Sequence, residues 1–202
     1  MSHQDEFALS LEELIASLRS GSGEAAATAA DLLELNSFPV FSSIDELYYE
    51  RLLPPSLLER ELREHEERRV VDELHRLILR SPSNREHDQS AKSGLIYALG
   101  RSSPWVAIQK ILDILVNHRA RLTIGDLHQC LHALQGCLDL PEDHSRYSEV
   151  VLALTQMDPT PVLEAMATTP FELNHETECL PRDVEFVLSQ VREVRLQSDG
   201  DE

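Results

Sequence analysis

His128 and His132 stand four residues apart in a stretch that reads as helix, the spacing at which two imidazoles on one face can share a divalent cation. At 100° per residue, and taking Leu127 as zero, they fall at about +100° and +140°, on one flank of the apolar stripe. Cys130 and Cys137 fall at about −60° and −80°, on the opposite flank, so these thiols and imidazoles cannot form one four-ligand site. A metal would need ligands from another helix, and no HExxH or CxxC pattern supplies them. The expectation is therefore groove or surface histidines, no metal and no cofactor, with His128 and His132 as the metal candidates. Cys130 and Cys137 are about 10.5 Å apart along a helix axis, too far for a disulfide, and read as small semi-buried apolar residues.

Other clusters carry less chemistry. His65-Glu66-Glu67-Arg68-Arg69 begins like a zincin helix but has Arg where the second His is required. Asn84-Arg85-Glu86-His87-Asp88 is a dense polar set whose acids suit the positive end of a helix. There is no GxSxG, P-loop or GxGxxG, so nucleophilic, phosphoryl and dinucleotide chemistry have no recognisable support.

The elements that must position these residues read as helices throughout. Leu, Ala and Glu are abundant, the 202 residues include only 7 Gly, and aromatics make up 5%. Serine-led capping boxes at Ser10, Ser43 and Ser56, Ser103 and Asp158 before proline, and Thr123 with Asp126 mark helix starts. Helices are expected near 10–19, 23–35, 43–52, 56–79, 86–100, 104–118, 123–138, 145–156, 159–168 and 181–196. Within 56–79 the first half is almost wholly charged, supported in water by pairs such as Glu59–Arg63 and Glu64–Arg68. The chain reads as one domain over 1–202, with 1–6 and 197–202 disordered, an N-terminal helical cap over 7–55 and a core over 56–196.

Ala98-Leu99-Gly100-Arg101-Ser102-Ser103-Pro104 and Ala153-Leu154-Thr155-Gln156-Met157-Asp158-Pro159, 55 positions apart, join helices in the same way. With Val106, Ile108, Ile111 and Leu112 after the first, and Val162, Leu163 and Met166 after the second, each resembles the helix-turn-helix core of a HEAT-like repeat. The resemblance implies an all-α, HEAT/armadillo-like α-α superhelix of about ten helices that binds other macromolecules. The 55-residue offset exceeds the usual repeat of about 40–47, so the stack should be irregular, with 123–138 as the extra helix.

The formal net charge of −18 is uneven: −11 over residues 1–67, +4 over 68–138 and −11 over 139–202. A nucleic-acid footprint is basic, so both ends argue against that partner. No run is apolar enough for a membrane span, the start is acidic, and the three cysteines are not a disulfide framework, which together point to the cytoplasm. Arg supplies 16 of the 18 bases, as in a GC-rich bacterial genome. Acidic ends suit a basic protein partner. The residues expected to meet it are Asp45, Glu46, Tyr49, Glu50, Glu142, Asp143, Glu172, Glu176 and Glu178. The reading is a non-enzymatic protein-binding module, most concretely a bacterial immunity-type inhibitor. The alternatives are a HEAT-like scaffold or assembly factor, or a helical metal-dependent enzyme using His128 and His132.

Overall fold

In the computed structural model of the chain, the described residues are 3–21, 23–37, 57, 61–81, 91–169 and 178–200. Among them the fold is all-α: nine helices and no strand. In chain order these are α1 (His3–Arg19), α2 (Gly23–Ser37), α3 (Glu64–Arg80), α4 (Ala91–Leu99), α5 (Pro104–Asn117), α6 (Ile124–Leu138), α7 (Tyr147–Gln156), α8 (Thr160–Thr168) and α9 (Leu180–Gly200). A 3-10 turn over Arg119–Arg121 links α5 to α6. No helix among the described residues is long and apolar enough to cross a membrane.

A single hydrophobic cluster runs from Phe7 in α1 to Val194 in α9. α1 packs on α3, α3 on α5, α5 on α7 and α7 on α9, while α2 packs on α4 and α4 on α6. The pairs α1–α2, α3–α4, α5–α6 and α8–α9 join neighbours in sequence, and α6 also packs on α9. The apolar residues of 104–118 are buried in α5, where Val106, Ala107, Ile108, Ile111, Leu112, Ile114 and Leu115 lie inside. α6 is wider than its sequence stripe, burying Asp126, Cys130, Ala133 and Cys137 besides its leucines, because α4, α5 and α9 surround it.

Several helix ends differ from the sequence reading. α1 starts at His3, so Ser10 lies inside the helix and does not cap it. Buried Phe7 and Leu11 anchor that helix, and each further residue adds a hydrogen bond at little cost once a nucleus exists. α9 likewise continues to Gly200 beyond buried Val191 and Val194, where a disordered tail was expected from 197. The helix expected from 56 begins at Glu64, and residues 61–63 are not helical. Arg63 is extended, and the Glu66 carboxylate accepts its backbone N–H at 2.8 Å, which fixes the helix start there. Glu64–Arg68 is a pair within that helix, at 2.7 Å, and Glu59 lies outside the described residues. Glu66 and Glu67, read as part of a solvated face, are buried. The expected helix 43–52, the boxes at Ser43 and Ser56, and the cluster 84–88 lie outside the described residues.

Both Ala-Leu junctions are buried, at Ala98 and Leu99 and at Ala153 and Leu154. Their caps differ from the expected form. Ser103 does not cap α5 with its own hydroxyl: its N–H and Oγ donate to Glu67 of α3, at 2.6 and 3.0 Å. Asp158 Oδ1 accepts the Thr160 N–H at 2.9 Å, so α8 begins just after Pro159. Thr123 and Asp126 form the reciprocal box at the start of α6, at 3.1 and 2.9 Å.

Candidate metal centre

The packing of α6 on α9 decides what the two histidines face. The His128 and His132 Nε2 atoms approach to 2.9 Å, with the rings edge to face at 79°. Asp183, in the first turn of α9, brings Oδ2 to 3.2 Å from His128 Nε2 and 3.9 Å from His132 Nε2. Cys179, one turn earlier, places Sγ at 3.4 Å from His128 Nε2. The Asp183 N–H donates to the Cys179 carbonyl at 3.0 Å, which fixes the two side chains on one side of the helix start. Two i,i+4 pairs thus face one another: His-x-x-x-His on α6 and Cys-x-x-x-Asp leading into α9.

His128, His132 and Asp183 offer ligand atoms all within 4.8 Å of one another, the one such metal-competent group among the described residues. Tetrahedral N and O ligands at 2.0–2.1 Å from a metal stand about 3.3 Å apart, and a thiolate at 2.3 Å stands about 3.6 Å from a nitrogen ligand. The separations of 2.9, 3.2 and 3.9 Å among the nitrogen and oxygen atoms bracket the first value, and the one sulfur–nitrogen separation, 3.4 Å, lies just under the second. Asp183 Oδ2 is buried and has no hydrogen-bond partner, though it lies at ion-pair distance from His128. A buried carboxylate oxygen left so is costly; a cation between the three groups would satisfy it and both imidazoles at once. Burial, reinforced by His128, pushes the His132 pKa down, which favours the neutral ring that a metal requires. The Cys179 thiol is pushed up by burial and by neighbouring Asp183. A bound cation reverses that balance, because it stabilises thiolate.

Cys130 and Cys137 lie on the far side of α6, fully buried, their thiols pushed up by burial, Cys137 to about 12. They are core residues. His75 makes a different arrangement: its Nε2 meets Asp113 Oδ2 at 2.8 Å, while Asn117 Nδ2 donates to Asp113 Oδ1 at 2.7 Å. Both carboxylate oxygens are partnered there, so the pair forms the wall of a groove shared with Lys110 and Met157. His65 is exposed on α3.

Of the expected partner-facing residues, Glu142 and Asp143 are exposed between α6 and α7, and Glu178 is exposed beside Cys179. Asp45, Glu46, Tyr49, Glu50, Glu172 and Glu176 lie outside the described residues. Sequence reasoning missed Asp183 and Cys179. Their own i,i+4 spacing was the available signal, but only the pairing of α6 with α9 makes it meaningful. No family model matches the chain, and no curated protein or solved structure does.

Proposed function

We propose that this chain is a divalent-metal-binding helical protein, holding a zinc-class cation between α6 and α9 through His128, His132 and Asp183. The observation that carries the reading is the convergence of two imidazole nitrogens on a buried carboxylate oxygen that has no hydrogen-bond partner. Nitrogen and oxygen donors in this number suit zinc and its neighbours better than magnesium or calcium, which take oxygen ligands. Three protein ligands are also the complement of a catalytic zinc, so a metal-dependent enzyme is one form of this reading. Titration of the full-length protein without a His tag by Zn²⁺ should give about one equivalent bound. His128→Ala and Asp183→Ala should abolish that uptake. Stoichiometry below about 0.1 equivalent in the wild type overturns the reading.

A second reading rests on charge. The residues from 139 onward carry a net −11, and Glu142, Asp143 and Glu178 are exposed there. That supports a protein-binding role toward a basic partner in the cytoplasm, of immunity-inhibitor or scaffold type. The run of contacts between alternate helices, α1–α3–α5–α7–α9 and α2–α4–α6, is the adjacency a HEAT-like α-α stack uses. Affinity capture from host lysate at two salt concentrations tests it. A basic protein retained at low salt and released at high salt supports the reading; binding indifferent to salt removes its electrostatic basis.

A further inference from the structure

We infer that Cys179 is the fourth ligand, so that the centre is a closed Cys-His-His-Asp site that clamps α9 onto α6. This rests on the metal-binding reading above and deepens it.

A catalytic zinc keeps one position open for water or substrate, whereas a structural zinc is closed by four protein ligands. Here a sulfur atom stands beside the three-ligand group, against His128. Cys179 Sγ lies 3.4 Å from His128 Nε2, close to the sulfur–nitrogen edge of a tetrahedral site. It reaches that place because residue 179 precedes Asp183 by one helical turn, just as His128 precedes His132. α6 would therefore contribute one two-residue claw and the start of α9, with the residue just before it, the other, on either side of a cation. Cys179 is the one cysteine able to do this, since Cys130 and Cys137 are buried on the other flank of α6. When the sulfur–metal bond forms, the thiol proton leaves to solvent and the thiolate takes its place in the site.

The consequence is mechanical. Leu180, Val184, Val187 and Val191 bury one face of α9, and the claw lies at the start of that helix. A closed site there fixes where α9 begins and leaves no coordination position for a substrate.

Cobalt distinguishes the inference from the reading beneath it. Co²⁺ added to the reduced wild-type chain should give intense visible d–d bands, the mark of a four-coordinate ion. It should also give a near-ultraviolet sulfur-to-cobalt charge-transfer band. In Cys179→Ser the charge-transfer band should vanish while d–d absorption persists, with cobalt affinity at least about tenfold weaker, the low end of what losing even an outer-shell partner costs. In Cys130→Ala/Cys137→Ala, checked for folding by circular dichroism, the charge-transfer band should remain. Wild-type d–d bands without a charge-transfer band would show the three-ligand site to stand and Cys179 to be no ligand. Absence of any cobalt spectrum in the wild type overturns both.

Discussion

Glu67 is a buried carboxylate that serves the start of a helix other than its own. From α3 it accepts the backbone N–H and the hydroxyl of Ser103, at the N-terminal end of α5 where the helix dipole favours negative charge. Removing it as Glu67→Ala leaves a buried N–H without its acceptor and should cost about 2–3 kcal/mol in urea unfolding. Ser103→Ala keeps the N–H bond and should cost about 1 kcal/mol. Equal losses in the two variants would mean that the backbone bond contributes little. Glu64 shows the opposite case of an exposed carboxylate. Hydrogen bonds from Arg146 and then Arg68 hold its pKa at about 2, against an ordinary 4.5. A depressed carboxylate stabilises the fold above its unfolded pKa and loses that contribution as pH falls through the folded value. Glu64 is 41% exposed, so solvent screening reduces the effect to about 1 kcal/mol at neutral pH. Glu64→Gln should show that deficit at pH 7 and converge on the wild type between pH 4.5 and about 2. A deficit that does not change with pH would assign the loss to packing.

Where α4 ends, Gly100 lies against α6 so closely that an added Cβ would stand 2.8 Å from Ala133 Cβ and 3.2 Å from its Cα. Ala133 is fixed by its backbone, so one of the two helices would have to move. Gly100→Ala should therefore destabilise the protein by about 1–3 kcal/mol. At the corresponding place of the second junction the sequence has Thr155, which is exposed, and Thr155→Ala should stay within about 0.5 kcal/mol. Chemical denaturation of the two variants side by side checks the contrast. Similar losses at both would mean that helix packing is not what sets the residue at Gly100. These junctions show what could be read in advance. Apolar periodicity and proline placement are local signals, and they located α5, α6, α7 and α8 to within a residue or two. Helix starts at Glu64 and Thr160 were displaced because side chains three or two residues away cap the backbone there. The pairing of His128 with His132 was legible as spacing, and so, unnoticed, was that of Cys179 with Asp183. That the two pairs meet was not legible, because it depends on α9 packing across α6, a contact between residues 51 or more positions apart.

At the scale of the whole molecule the proposed centre would tie α9 to α6, a helix that also packs on α4 and α5. Because the hydrophobic cluster is continuous from α1 to α9, a cation bound only by the folded state should stabilise all of it and not the α6–α9 contact alone. At a free zinc concentration one hundred times the dissociation constant the gain is about 2.7 kcal/mol. For a chain of this length that corresponds to a rise in Tm of about 5–11 °C. The single tryptophan makes the claim testable by region. Trp105 sits in α5, stacked on His144 at 5.0 Å between ring centroids, with the Arg146 guanidinium 5.5 Å from its ring centroid, and is not among the proposed ligands. Melting followed by Trp105 fluorescence and by far-ultraviolet circular dichroism should shift upward together when zinc is added. Neither trace should shift in His132→Ala. A zinc-dependent shift in circular dichroism with no change in the tryptophan transition would mean that α9 unfolds as a separate unit and that the clamp acts locally. Coincident shifts would instead make the cation part of one cooperative structure, in which two side-chain pairs hold the last helix against a core that begins at Phe7.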